Sequence, residues 1–206
     1  NNCFLGPLLS GSYPTQILSE FERFVRPGDM ERIRQPVDFL GINHYSRAYI
    51  QADPNALLGF QRASPPPEVP RTSFDWEINP QEFRDVLLWL WETYPCPPIY
   101  VTENGAYFDD IVSQDGKVHD DRRIDFLDRY IQAMREAQAQ GVDVRGYFVW
   151  SLLDNFEWAC GYRPTFGLVK TDFDTLQRIP KDSYHWYKNF IRKGDFAHPQ
   201  TASTPR

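Results

Sequence analysis

Three apolar runs punctuate the chain: Val37-Asp38-Phe39-Leu40-Gly41-Ile42, Ile99-Tyr100-Val101-Thr102 and Val144-Arg145-Gly146-Tyr147-Phe148-Val149-Trp150-Ser151. They are short, bounded by Gly or Pro, and rich in β-branched and aromatic residues, so they predict buried strands near 37–42, 98–102 and 144–151. Between them the hydrophobic spacing becomes helical. Phe83, Val86, Leu87, Leu90 and Trp91 fall on one face behind Asn79-Pro80-Gln81-Glu82, which supplies an N-cap, a proline at the first helical position and an acid in the first turn. Ile124, Leu127, Tyr130, Ile131, Met134 and Ala137 mark a second helix that starts at Asp120 or Asp121 and stops at Gly141. A third, rich in Tyr, Trp and Phe, covers 181–193. Upstream, residues 3–26 predict a helix tail, a turn from Gly11 to Pro14 and a short helix carrying Ile17, Leu18, Phe21 and Phe24; one further helical turn spans 30–34. Residues 51–72 hold Asp53-Pro54-Asn55 and Ser64-Pro65-Pro66-Pro67 with no periodicity, which predicts a long surface loop. Phe166-Gly167-Leu168-Val169 reads as a short strand or hairpin, and residues 195–206 as a frayed tail.

Strand then helix, three times over, is a run of parallel βα units, as in a (β/α)8 barrel or a doubly wound sheet. No dinucleotide fingerprint follows any strand, so the barrel is preferred. The polar residues with chemical potential collect at the carboxyl ends of the strands. Glu103 precedes Asn104-Gly105, which reads as a turn, so it is either an ordinary strand-end acid or a group placed for chemistry. Asn43 and Tyr45, two apart on a strand, share a face: one amide and one phenol that either converge on a site or satisfy loop backbone. The third strand delivers Trp150 at its tip, then Glu157 and Trp158 side by side. Asp109 and Asp110 are either a metal pair or solvated loop acids.

Aromatic residues make up 16% of the chain, enough to fill a core or to line a site that stacks on sugar rings. A net charge of −6 argues against nucleic acid and anionic membrane as partners. No apolar run reaches membrane length and no signal peptide is evident. Cys3, Cys96 and Cys160 have no metal spacing and read as reduced, mostly packed thiols, which points to the cytoplasm. His44, His119, His185 and His198 are scattered and phosphate loops are absent, so no metal and no cofactor is expected.

The segments Asp38-Phe39-Leu40-Gly41-Ile42-Asn43-His44-Tyr45, Val101-Thr102-Glu103-Asn104-Gly105 and the stretch from Gly146 to Trp158 resemble glycoside hydrolase family 1, the β-glucosidase type. Phe166-Gly167-Leu168-Val169 and Pro180-Lys181-Asp182-Ser183 are similar too, and the resemblance runs from about Phe4 to Arg192. It implies the C-terminal part of a TIM barrel, about its last three βα units, and a β-glucoside or related glycoside as substrate. It implies Glu103 as the nucleophile of a retaining mechanism, hydrogen-bonded by Tyr45, with Asn43, Glu157 and Trp158 on the same sugar. It makes Trp150 the stacking platform, Phe166 the pocket wall and Trp76 a leaving-group contact. The chain departs from the family pattern in one respect. The Thr-x-Asn-Glu-Pro-type segment that carries the acid/base is absent from the 206 residues. A barrel takes ~250 residues, so a separate or missing N-terminal barrel part is expected to supply it. The alternative is a non-catalytic barrel part that binds carbohydrate or pairs with a partner half. An aldolase-type barrel would need a strand lysine or a phosphate loop, and neither is present.

Overall fold

The computed structural model describes residues 2–15, 18–57 and 59–194. Ile17 of the expected second helix and the tail 195–206 lie outside the described residues. Three parallel strands, β1 (Leu40–Asn43), β4 (Ile99–Asn104) and β5 (Val144–Val149), form one sheet in the order β1-β4-β5. The helices α4 (Pro80–Thr93) and α5 (Asp121–Ala139) supply the two crossovers, and α6 (Asp182–Arg192) follows β5. The strand expected at 37–42 begins only at Leu40, because pairing starts where β4 does: Leu40 N donates to the Pro98 carbonyl. The third strand ends at Val149, short of residue 151.

One face of this sheet is covered and the other is bare. Ile99, Val101, Val144 and Tyr147 point into a core with Phe83 and Leu87 of α4 and with Phe126, Leu127, Tyr130, Ile131 and Met134 of α5. The helices form because their apolar stripes match this face. Asn79 caps α4 as expected, its Oδ1 accepting from Glu82 N at 3.0 Å. On the opposite face, Gly41, Asn43, Thr102, Arg145 and Phe148 are exposed. Among the described residues β1 and β5 each pair only with β4, so both outer edges of the sheet are open. A groove of about 830 Å³ lies beside β5, lined by Phe148, Leu152, Tyr187 and Ile191 among others. This is the geometry of a barrel sector, with helices outside and the barrel interior open.

Three expectations need correction. The loop 51–72 contains most of a hairpin: β2 (Tyr49–Ala52) pairs antiparallel with β3 (Phe60–Ala63). Nearly all its residues are exposed, so no apolar alternation betrayed it, and Asp53 with Gly59 (φ +74°) turns the chain. Asn104-Gly105 is not a turn. Asn104 is the last strand residue, and Gly105 is required because a Cβ there would lie 1.9 Å from the Trp150 carbonyl oxygen. Cys160 is exposed, while Cys96 is half-buried and its thiol is pushed up to about 11 by burial. Near the N-terminus, α1 (Asn2–Leu5), a π turn over Gly6–Ser10, α2 (Leu18–Phe21) and α3 (Asp29–Ile33) follow the expected order. A short hairpin of β6 (Val169–Thr171) and β7 (Arg178–Pro180) leads into α6.

The loops at the carboxyl ends are tied by a buried charge network that sequence reading missed. Asp120 sits at the N-cap of α5, yet its carboxylate does not cap the helix; it binds Arg123 and accepts from the Ser183 N–H and hydroxyl. Arg123 also pairs with Asp110 at 2.8 Å and donates to the Thr165 carbonyl. Lys181, with no exposed surface, lies 2.5 Å from Asp110 and 3.1 Å from Asp154. Asp110 is therefore neither a metal ligand nor a solvated acid, and Asp109 accepts from Tyr107 and Ser73. Burial, followed by the nearby Arg123 charge, lowers the Lys181 pKa, while the two aspartates act to hold its proton.

Two predictions follow from these ties. Lys181→Met leaves two buried aspartates without their shared cation; Asp110 keeps Arg123 and Asp154 keeps backbone donors, so the loss should sit near the low end for a broken buried pair, about 3 kcal/mol. Urea unfolding reads it, and an unchanged midpoint would show that the network contributes nothing. On the surface, His119 lies 2.6 Å from Asp182 and 3.2 Å from Asp115. These hydrogen bonds, Asp182's the larger, raise its pKa above the ordinary 6.5. A raised histidine pKa contributes stability that is present below the unfolded value and lost as pH rises through the folded one. The urea-midpoint difference between wild type and His119→Gln should therefore be present below about 6.5 and vanish on the alkaline side.

Candidate active site

Glu103 reaches the open end of the sheet because of a strand irregularity. Along β4, Ile99 and Val101 face the helices, so strict alternation would send Glu103 the same way. Between Val101 and Glu103, however, β4 carries one residue more than β1, and between Val101 and Asn104 one more than β5. This bulge reverses the parity: Thr102 stays on the inner face, Glu103 turns to the carboxyl end and Asn104 points into the helix layer, fully buried.

At that end the Tyr45 hydroxyl donates to Glu103 Oε2 at 2.6 Å. Burial first, then this hydrogen bond and the charges of Glu103 and Glu157, push the Tyr45 pKa far above 10. It therefore remains a proton donor to the carboxylate at any ordinary pH. Asn43 lies next to this pair, with its Oδ1 accepting from Thr102 at 2.7 Å, which orients the amide N–H2 away from Thr102. His44, between them, points the other way. Its Nε2 lies 2.8 Å from Glu82 Oε2, and since a carboxylate only accepts, Nε2 carries the proton.

Glu157 belongs to the same electrostatic neighbourhood. Burial raises its pKa, the Glu103 charge raises it further, and a hydrogen bond with Trp150 pulls it down. Trp150 sits at the tip of β5, held where its N–H donates to the Asn104 carbonyl at 2.9 Å; the Trp150–Ser151 peptide is cis. Trp158 is 81% exposed with φ +44°, a left-handed conformation uncommon for a side chain of that size. The loop bearing Glu157 and Trp158 is anchored by Asp154, which accepts from Gly167 N at 2.8 Å and from Thr171 N at 3.3 Å.

Aromatic rings form the wall beside Tyr45. Trp76 meets it edge-on at 5.5 Å between ring centroids and Phe166 at 6.2 Å, and Phe74 and Tyr107 extend the cluster behind them. Phe166 is buried, whereas Trp76 keeps a partly open face. Of the residues singled out from sequence, Tyr45 meets Glu103, Trp76 and Phe166. Asn43, Trp150 and Glu157 adjoin them through Thr102, Asn104 and charge interaction respectively. Trp158 is exposed next to Glu157 in the chain. In the sequence, Phe74, Tyr107 and Asp154 have no evident role and Asn104 reads as a turn residue; Asp154 and Asn104 lie inside the family motifs, but nothing in a polar residue of a loop or strand end announces that it is buried.

An ionisable acid with a permanent phenol donor, a second partly buried carboxylate and a half-open aromatic wall can bind a neutral polyol and attack an electrophilic carbon. Among the described residues no cluster of His, Cys, Asp or Glu is arranged to hold a metal, and no helix is long and apolar enough to cross a membrane.

The chain is similar to known proteins over nearly all of its length. The family profile described as glycosyl hydrolase family 1 matches residues 1–196. The chain is 46% identical over 195 residues to the 1,4-beta-D-glucan glucohydrolase of Thermotoga neapolitana, covering 92% of this chain and 43% of that protein. It is 40% identical over 211 residues to the bifunctional beta-D-glucosidase/beta-D-fucosidase of Bifidobacterium breve, covering 93% and 46%. The solved family 1 β-glucosidase of Thermotoga maritima superposes with a TM-score of 0.85 at 42% identity, over 93% of this chain and 44% of that one. The same enzyme solved with deoxynojirimycin gives 0.84. The chain thus spans less than half the length of the relatives it matches, corresponding to the C-terminal part of their TIM barrels. It belongs to glycosyl hydrolase family 1.

Proposed function

We propose that the protein containing this chain is a retaining β-glycosidase of the β-glucosidase type, acting on terminal non-reducing β-D-glycosyl residues, with Glu103 as its nucleophile. The observation that carries the reading is the 2.6 Å hydrogen bond from Tyr45 to Glu103 at the open end of the barrel sector. In this reading the Glu103 carboxylate attacks the anomeric carbon, the bond from that carbon to the leaving oxygen breaks, and a glycosyl ester forms on Glu103; water then displaces the ester with overall retention. The Tyr45 donor fixes the direction of the attacking carboxylate. Glu157 accepts from hydroxyls of the bound sugar, with Asn43 and Trp158 on the same ring. Trp150 provides the stacking face, Phe166 the wall, and Trp76 contacts the leaving-group side.

Protonation of the leaving oxygen requires a second carboxyl group ~5–5.5 Å from the nucleophile. We assign it to the N-terminal part of the barrel, which would close both open sheet edges. The Thermotoga and Bifidobacterium relatives carry glucohydrolase and glucosidase names over roughly twice this length, which supports an assembled barrel as the active form. A chain that only binds carbohydrate, or pairs with another half without catalysis, would give a different outcome in the labelling test below.

Incubating the assembled barrel with a 2-deoxy-2-fluoro glucoside bearing an activated leaving group should add one fluorosugar, and peptide mapping should place it on Glu103. Glu103→Gln should take no label and lose turnover by several orders of magnitude while still binding sugar. Label on another residue, or turnover by that variant, would sink the assignment. Glu157 supplies a pH test. A sugar whose hydroxyls donate to Glu157 prefers its ionised form, and burial and Glu103 hold its pKa above the usual carboxylate range. KM should therefore rise as pH falls through that raised value, and Glu157→Gln should flatten the rise at the cost of weaker binding throughout. A KM equally pH-dependent in both proteins would remove Glu157 from the sugar site.

A further inference from the structure

We infer that Asn104 and Tyr147 are positioning residues that hold the β4 bulge and thereby aim Glu103. This inference rests on the reading of Glu103 as nucleophile. Asn104 follows Glu103 immediately and its side chain is fully buried, on the side of the sheet away from the site. Its two ends are both used: Nδ2 donates to the His44 carbonyl at the end of β1, at 2.7 Å, and Oδ1 accepts from the Tyr147 hydroxyl on β5, at 2.5 Å. One amide thus reaches from β4 to both neighbouring strands at the level where β4 carries its extra residue against each.

The ladder cannot hold this point by itself. An extra residue interrupts regular strand pairing, and at Thr102–Glu103 the interruption faces both neighbours at once. Two backbone bonds remain near it, His44 N to the Glu103 carbonyl and Trp150 N to the Asn104 carbonyl, each at 2.9 Å. The Asn104 side chain adds a tie on either side. Without it, a one-residue slip of β4 would return Glu103 to the helix-facing parity of Val101 and take it from Tyr45. The anchor is itself fixed from behind. The Tyr187 hydroxyl of α6 donates to the Tyr147 carbonyl at 2.9 Å, and the Tyr147 ring lies in the core with Val101 and Val144. On the β1 side, the His44 ring is held by Glu82 of α4. A buried band of hydrogen bonds therefore runs from helix to helix beneath the nucleophile, with Asn104 at its centre.

The test uses the assembled barrel and three readouts: kcat, the first-order rate of fluoroglucoside labelling at saturating reagent, and the Kd of D-glucose. Tyr147→Phe removes one tie with no change of shape, and Asn104→Ala removes both. Misplacing a reacting group by about 1 Å costs on the order of 100-fold in rate. We expect kcat and labelling rate to fall about 10-fold in Tyr147→Phe and about 100-fold in Asn104→Ala, with the glucose Kd within about two-fold of wild type. Tyr130→Phe is the control. It removes another buried tyrosine hydroxyl, which accepts from Asn79 N at 3.0 Å in the helix layer, and it should leave the labelling rate unchanged. Wild-type labelling in Tyr147→Phe and Asn104→Ala overturns the inference, as does a fall in rate and sugar affinity together that Tyr130→Phe reproduces. If Asn104→Ala does not fold, Tyr147→Phe decides alone. A label that still forms in Glu103→Gln would instead defeat the nucleophile reading, so the two failures are distinct.

Discussion

Five buried charges set the conditions under which the carboxyl-end loops can exist. Asp110, Asp120 and Asp154 surround Arg123 and Lys181, and every one of these side chains is nearly or wholly out of water. Each charge alone would be costly in such a place, and apart from Asp120 with Arg123 the ion pairs join different segments. Asp110 lies between β4 and α5, Asp120 and Arg123 at the start of α5, Asp154 after β5, and Lys181 before α6. The network therefore forms only when all four segments are in place, and it forces them to order together. Its outer bonds reach Thr165, Gly167 and Thr171, which places Phe166 against Tyr45 and secures the ends of the loop that carries Glu157.

Above that base, the structure separates packing from chemistry by strand face. Apolar residues of β4 and β5 meet the helices, while Asn43, Thr102 and Phe148 look into the open interior. Glu103 would belong to the packing face by parity. The bulge transfers it, and the transfer leaves a polar residue, Asn104, in a fully buried position where all of its bonds are internal. The same local defect thus serves both sides of the sheet.

Much of this was legible in the residues. The three strands and the helices between them follow from run length and period, and the Asn79 cap is where its pattern puts it. The family motifs contain Tyr45 and Glu103, which meet through one hydrogen bond. What stayed hidden shares a physical cause: it depends on burial of polar groups or on exposure of apolar ones. Asp120 looked like a cap and is instead a buried ion-pair partner; Lys181 gave no sign of being fully enclosed. The β2–β3 hairpin was invisible because it turns almost no residue inward. Asn104-Gly105 resembled a turn, since the sequence cannot reveal that Gly105 makes room for the Trp150 carbonyl or that Asn104 has partners on two other strands.

The order of the sheet also grades the backbone by how readily its amides meet solvent. β4 is hydrogen-bonded on both flanks, whereas β1 and β5 each present one side with no neighbouring strand among the described residues. The regularly paired amides of β4 lie between two strands, so they belong to the more slowly exchanging class of the sheet. Glu103 therefore sits on the strand that, among the described residues, keeps a neighbour on one flank when the other opens.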